Sequence, residues 1–142
     1  MNFYKPEHLP HLMVAPNGAR PTKKDHPAVP VTVSETVKTA KACFESGATG
    51  IHFHMRDEEG QHILDSGLCK EALTELQKQV PKMHLQITTE AVGRYSPESM
   101  RKLAYDVGYD VQKTIQSTKG HKSYNTHCRV SYDYQPYISG GI

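Results

Sequence analysis

The chain has 142 residues, 37% of them hydrophobic, and carries a net charge of +2 with histidine neutral. That length holds one domain with a real core but not two comfortable ones, and the hydrophobic share lies below the ordinary globular range. The lysines are scattered rather than gathered into a stripe, which speaks against a nucleic-acid partner, and no segment approaches the roughly 20 apolar residues of a membrane span.

The first residues, MNFYKPEHLPHL, place histidine and proline where a secretory leader needs an apolar run, so a cytoplasmic location is the expectation. Cys43, Cys69 and Cys128 are widely spaced and include no CxxC pair, which suggests neither a disulfide framework nor a thiolate zinc site. HLMVA, from His11 to Ala15, reads as a short buried strand. The segment from Pro16 to Pro30 is a long loop, marked by its prolines and by the turn-forming pair Asn17-Gly18.

A first helix begins at Thr32, an N-cap with Glu35 at the capping-box spacing. Val33, Val37, Ala40 and Phe44 follow at helical intervals, and Gly47 supplies the stop. In ATGIHFHM the period changes to two. Ile51, Phe53 and Met55 alternate with His52, His54 and Arg56, which predicts a strand. The polar loop DEEGQHILD leads to a second helix from about Ser66 to Val80, with Leu68, Cys69, Ala72, Leu73, Leu76 and Val80 as its apolar stripe. MHLQITT, from Met83 to Thr89, is the next strand, and EAVGRY is the loop behind it. Ser96 caps a third helix with Pro97 at its first position, Met100, Leu103, Ala104 and Val107 on its apolar face and Gly108 at its end.

Strands and helices in strict alternation predict an α/β fold of parallel βαβ units. From Tyr109 the texture changes: residues 109–142 form an atypical polar tail, with one doubtful strand around Val130 to Tyr134. A truncation, a frameshifted end and a disordered tail would each produce such a loss of period, and the three stay open. The sequence therefore divides into residues 1–108 and 109–142.

The chemistry concentrates where the strands end. Residues two apart on a strand share a face, so the imidazoles of His52 and His54 can lean over one ion. Both lie near the carboxyl end of their strand, where parallel α/β folds build ligand sites. Two histidines satisfied by core hydrogen bonds are the bland alternative, and Arg56-Asp57 directly behind them shifts the balance to metal. Gln86 and Thr88 fall on the polar side of the next strand, level with the histidines. Thr88 is a candidate hydrogen-bond partner for a substrate oxygen, or simply a β-branched strand residue. Glu90 is open between metal ligand, base and loop carboxylate. Asn17 is first of all a turn residue; it joins Thr88 and Arg56 as the candidate substrate contacts. His8, His11, His26, His62, His84, His121 and His127 read as surface or packing residues.

Taken together, MVAPNGARPTKKDHPAVPVT, GIHFHMRDEEGQHILD and LQITTEAVGRYSPE resemble the β-keto acid cleavage enzymes, whose best-known members are the 3-keto-5-aminohexanoate cleavage enzymes. The likeness covers about residues 11 to 107: a strand-borne HxHxRD, the N-P-A-x-P-type loop written here as DHPAVP, and the ITT segment occur in order at compatible spacing. The resemblance implies a (β/α)8 barrel of TIM type, of which this chain supplies about the first three βα units. It also implies a divalent metal, usually zinc, with acetyl-CoA as co-substrate. In the family reaction a β-keto acid condenses with acetyl-CoA, and the product splits into acetoacetate and a new acyl-CoA. By the match, His52 and His54 ligate the metal and Thr88 contacts substrate.

Two departures refine this. The aminohexanoate enzymes carry an acidic residue just after the first strand's turn to hold the substrate ammonium; Arg20 stands at that place here. A guanidinium repels an amine and suits a carboxylate, so the expected substrate is a neutral or anionic β-keto acid. A complete barrel takes about 250 residues, and the family's carboxylate metal ligand and its catalytic arginine and aspartate lie in later strands. The resemblance thus implies the N-terminal portion of an enzyme that is a homo-oligomer at full length. The competing reading is a truncated, non-catalytic chain or interaction module with residual metal binding. A structural zinc domain needs four closed ligands, and no third and fourth partners stand out.

Overall fold

The computed structural model describes residues 10–117 and 130–131, with side chains over 10–107. Its elements are β1 (Met13–Val14), α1 (Val33–Glu45), β2 (Gly50–Phe53), α2 (Ser66–Gln79), β3 (His84–Ile87), α3 (Pro97–Ser117) and β4 (Val130–Ser131). The sheet order is β1-β2-β3-β4. The first three strands are parallel and in sequence order, as expected for successive βα units. β4 falls within the doubtful strand of the tail and pairs antiparallel with β3, so it does not continue the parallel series.

Local signals place the helices. At α1 the capping box is complete: Thr32 Oγ1 accepts from Glu35 N–H at 3.1 Å while Glu35 Oε2 accepts from Thr32 N–H at 3.1 Å. Glu35 also takes the Val31 N–H at 2.8 Å and pairs with Lys23 at 2.7 Å. The Lys23 ammonium and these two N–H donors hold its carboxyl at about 2. Asp65 caps α2 through the Leu68 N–H at 2.7 Å, and Ser96 accepts from Ser99 N–H at 3.2 Å at the start of α3.

The helix faces then meet the sheet. Ala40 from α1, Cys69, Ala72, Leu73 and Leu76 from α2, and Leu103 and Val107 from α3 share one buried cluster with Ile51, Phe53, Leu85 and Ile87. Each large apolar side chain so buried contributes roughly 1.5–3 kcal/mol. Burial pushes the Cys69 thiol up to about 12, which leaves it an inert core residue.

α3 differs from its expected length. It runs through Gly108 to Ser117, so the division expected after residue 108 falls inside a helix. A glycine inside a helix costs about 1 kcal/mol relative to alanine and does not by itself break the ladder. The remainder of the 109–142 tail, apart from β4, lies outside the described residues, as do His8, His121, His127 and Cys128. Among the described residues no helix is long and apolar enough to cross a membrane.

Candidate metal centre and the loops around it

The two faces of β2 separate as the alternation requires. Ile51, Phe53 and Met55 go into the core; His52, His54 and Arg56 go to the other side. His52 is opposite Gln86 in the register of β3, and its Nδ1 lies 2.8 Å from Gln86 Oε1. An amide oxygen only accepts, so Nδ1 is the donor in this bond. The His52 and His54 rings sit edge to face, with centroids 5.1 Å apart.

His54 is held from behind. Asn17, in the turn after β1, accepts from the His54 N–H at 3.1 Å and donates to the His54 carbonyl at 2.9 Å and the Pro30 carbonyl at 3.2 Å. Gly18 follows with φ +58, a left-handed turn conformation that suits glycine. The His54 ring is buried, and its Nδ1 has no hydrogen-bond partner among the described residues; Glu90 Oε2 stands 4.0 Å away. Burial first, then repulsion from His52, His62 and Arg56, pushes His54 down to about 3. The imidazole is therefore neutral at pH 7, and the Glu90 contact is dipolar rather than an ion pair.

His62 was expected at the surface or in packing, and it packs against this site. Asp57 begins a tight return of the chain, with its N–H to the Gln61 carbonyl at 2.9 Å and Gly60 at φ +77. The return pairs His62 antiparallel with Arg56 and sets its ring 5.1 Å from that of His54. His62 Nε2 lies 2.9 Å from the Glu90 carbonyl, and Arg94 and Tyr95 both donate to the His62 carbonyl. The loops after β2 and β3 are thereby tied together. Burial lowers the His62 pKa, against the opposing pull of the Glu90 and Met55 carbonyls. The DEEG turn was the signal for this residue, because it folds His62 back beside the histidine strand.

The remaining candidates are dispersed around these rings. Arg56 is only 4% exposed and donates to the carbonyls of Gly60 (2.9 Å), Asn17 (3.2 Å), Pro21 (3.0 Å) and Gly18. It ties the β1 loop to the β2 loop. Thr88 is half-buried, and its hydroxyl accepts from the Glu90 N–H at 3.1 Å. Arg20 is exposed and shares with Arg56 and Arg94 a cavity of about 230 Å³ between the loops.

Two imidazoles on one face, His54 kept neutral by burial and its Nδ1 without a hydrogen-bond partner among the described residues, have the donor chemistry a divalent metal requires. They make an incomplete set. Among the described residues no group of three or more His, Cys, Asp or Glu side chains is placed to hold an ion.

Comparison with known proteins adds to this geometry. A family model described as beta-keto acid cleavage enzyme matches residues 11–118. The chain is similar to the 3-oxoadipate:acetyl-CoA acetyltransferase of Cupriavidus necator, 37% identical over 78 residues, which cover 55% of this chain and 28% of that protein. It is also similar to the 3-keto-5-aminohexanoate cleavage enzyme of Fusobacterium nucleatum, 32% identical over 85 residues, covering 59% of this chain and 31% of that protein. The enzyme of the same name from Acetoanaerobium sticklandii is 33% identical over 85 residues, with the same coverage.

Proposed function

Since the chain belongs to the beta-keto acid cleavage enzyme family, we propose that it carries the histidine half of a metal site for cleavage of a neutral or anionic β-keto acid with acetyl-CoA. The products are acetoacetate and a new acyl-CoA. The chain spans less than a third of the relatives it matches, 28% and 31% of their lengths, so the whole activity is assigned with later strands of a (β/α)8 barrel completing the site. Assembly as a homo-oligomer and a cytoplasmic location belong to the same reading.

The observation that carries it is the shared face of His52 and His54, one ring oriented by Gln86 and the other kept neutral by burial. These two side chains would hold the metal, probed first as zinc. When bound, such an ion supplies a Lewis acid that draws electron density from a keto oxygen. The chain's own groups do the rest. Gln86 orients His52, and Asn17 holds both the N–H and the carbonyl of His54. Thr88, two residues beyond Gln86, would donate to a substrate oxygen, and Arg20 would take the carboxylate. The name of the Cupriavidus relative includes 3-oxoadipate, an anionic keto acid of the kind a guanidinium suits.

A second reading is favoured by the lack of a third ligand among the described residues: a non-catalytic chain that binds metal through two histidines. Zinc titration and an acetoacetate assay with acetyl-CoA and 3-oxoadipate separate the two. In a chain that includes the later strands, the first reading expects one zinc per chain, lost in His52→Ala and His54→Ala, together with turnover. Stoichiometric zinc without turnover selects the second, and zinc uptake undiminished in both variants refutes the metal assignment.

A further inference from the structure

Which ring nitrogen of His54 carries the proton decides which one can take a metal. The ring is neutral, so it has one N–H and one lone pair to place. Its Nδ1 is buried and without a hydrogen-bond partner among the described residues, and the group that faces it is the Glu90 carboxylate, with Oε2 4.0 Å away. A lone pair on Nδ1 would meet that negative charge head on, whereas an N–H turns the positive end of a dipole toward it. Electrostatics therefore puts the proton on Nδ1.

Glu90 is set in place by its own backbone. Its N–H donates to Thr88 Oγ1 at 3.1 Å, and its carbonyl lies 2.9 Å from His62 Nε2, so the peptide groups on both sides of it are tied. The chain then turns through Val92 at φ +47 and Gly93 at φ +75, with the Arg94 and Tyr95 N–H groups donating to the Ala91 carbonyl at 2.8 and 3.1 Å. A β-branched residue rarely adopts that φ, and such strain persists only where the surroundings over-determine it. The Glu90 side chain is 42% exposed, and no other hydrogen bond or ion pair among the described residues engages its carboxylate. The gap to Nδ1 exceeds a hydrogen bond by roughly 1 Å, a distance that rotation of a half-exposed side chain can close.

We propose that Glu90 is a positioning residue whose carboxylate accepts the His54 Nδ1 proton and so leaves the Nε2 lone pair for the metal. Glu90 then does for His54 what Gln86 does for His52, whose Nδ1 donates to Gln86 Oε1 at 2.8 Å. Both partners come from β3 and the loop behind it. Metal-binding histidines commonly donate their second N–H to a carboxylate or a carbonyl, which fixes the ring and raises its basicity. A carboxylate does this more strongly than an amide, because the bond is charge-assisted. Among the described residues no three such side chains are placed to hold an ion, so Glu90 is assigned to the histidine and not to the metal. The proton placement stands on geometry; its use for a metal rests on the metal site proposed above.

The test uses the 142-residue chain and two readouts. Proton–nitrogen correlation spectra of the imidazole rings, recorded on isotope-labelled protein with a chelator at neutral pH, identify the protonated nitrogen; the His54 ring is assigned by its loss in His54→Gln. The parent should show His54 protonated on Nδ1, and in Glu90→Ala the proton should move to Nε2, which holds it preferentially in free histidine. Zinc titration should then give an affinity about 10- to 100-fold lower in Glu90→Ala, and a smaller loss in Glu90→Gln, which keeps an acceptor oxygen. Glu59→Gln, which removes the same charge from an exposed position in the turn after β2, should change neither readout. Helix content should match the parent throughout, since the Glu90 backbone bonds survive each substitution. A parent protonated on Nε2, or a tautomer that is the same with and without Glu90, overturns the proposal. So does equal zinc affinity in the parent and Glu90→Ala, or an equal loss in Glu59→Gln. A parent that takes up no zinc, yet shows the Glu90-dependent tautomer, counts against the metal reading and leaves the proton placement standing.

Discussion

At the end of β2, where Met55 lies between His54 and Arg56, the two sides of the chain are buried to the same degree and by opposite means. Met55 is 3% exposed and His54 and Arg56 are 4% exposed. The apolar side is fixed by close packing, which is non-directional and tolerates adjustment. The polar side is fixed by hydrogen bonds to particular carbonyls on three loops, which leave no slack. One side holds the sheet to its helices; the other holds the strand ends in the arrangement a ligand would meet. Stability and site geometry should therefore respond to different substitutions.

The largest effect should come from the apolar side. Phe53 is fully buried at the end of β2 between α1, α2 and the sheet. Phe53→Ala should cost about 3–5 kcal/mol, as truncations of buried aromatics do, and a small domain has little more than that to lose. Urea unfolding measures the loss. At low temperature, the molecules that remain folded should take up zinc with the parent's affinity. A fall in zinc affinity matching the fall in stability would show that the two sides are not separable.

On the polar side, Asn17→Ala should cost about 2–3 kcal/mol, because it strands the buried His54 N–H and two carbonyls. Here zinc affinity should drop as well, even under conditions where the variant is fully folded, since the peptide that carries His54 loses both of its anchors. Asn17→Ala with parental zinc affinity would reduce Asn17 to a stability residue and break the comparison at its polar end.

The sequence made some of this legible because the signals were local. Thr32 with Glu35 and Ser96 with Pro97 declare helix starts through chemistry completed within four residues. The alternation in IHFHM places His52 and His54 on one face, and a matching alternation in LQITT puts Gln86 beside His52. What stayed hidden depends on contacts between distant segments. His62 looked like a loop residue because its partners are 28 and 32 positions away, at Glu90 and Arg94. The four backbone carbonyls around Arg56 were equally hidden, because side-chain type does not reveal partners on distant loops. The continuation of α3 past Gly108 was missed because glycine penalises a helix without forbidding it.

The effect that is smallest per pH unit is also the most specific to the polar side. In the metal-free protein His54 is held neutral down to about 3 by burial and by its cationic neighbours, whereas in the unfolded chain it titrates near 6.5. Above 6.5 both states carry a neutral ring, and His54 adds no pH dependence. Between about 6.5 and 3 the unfolded chain binds a proton that the native protein refuses, so stability falls with falling pH by up to about 1.4 kcal/mol per unit from this one group. Replacing His54 with glutamine, which cannot ionise, should flatten the stability profile between pH 6.5 and 4 in the presence of a chelator. His11→Gln, at an exposed position, should not. Zinc should steepen the same profile in the parent and leave it unchanged in His54→Gln, because protons and metal compete for the ring. A parent and a His54→Gln variant with parallel profiles in chelator would mean that the imidazole is solvated, and the contrast between the two sides of the strand would disappear with it.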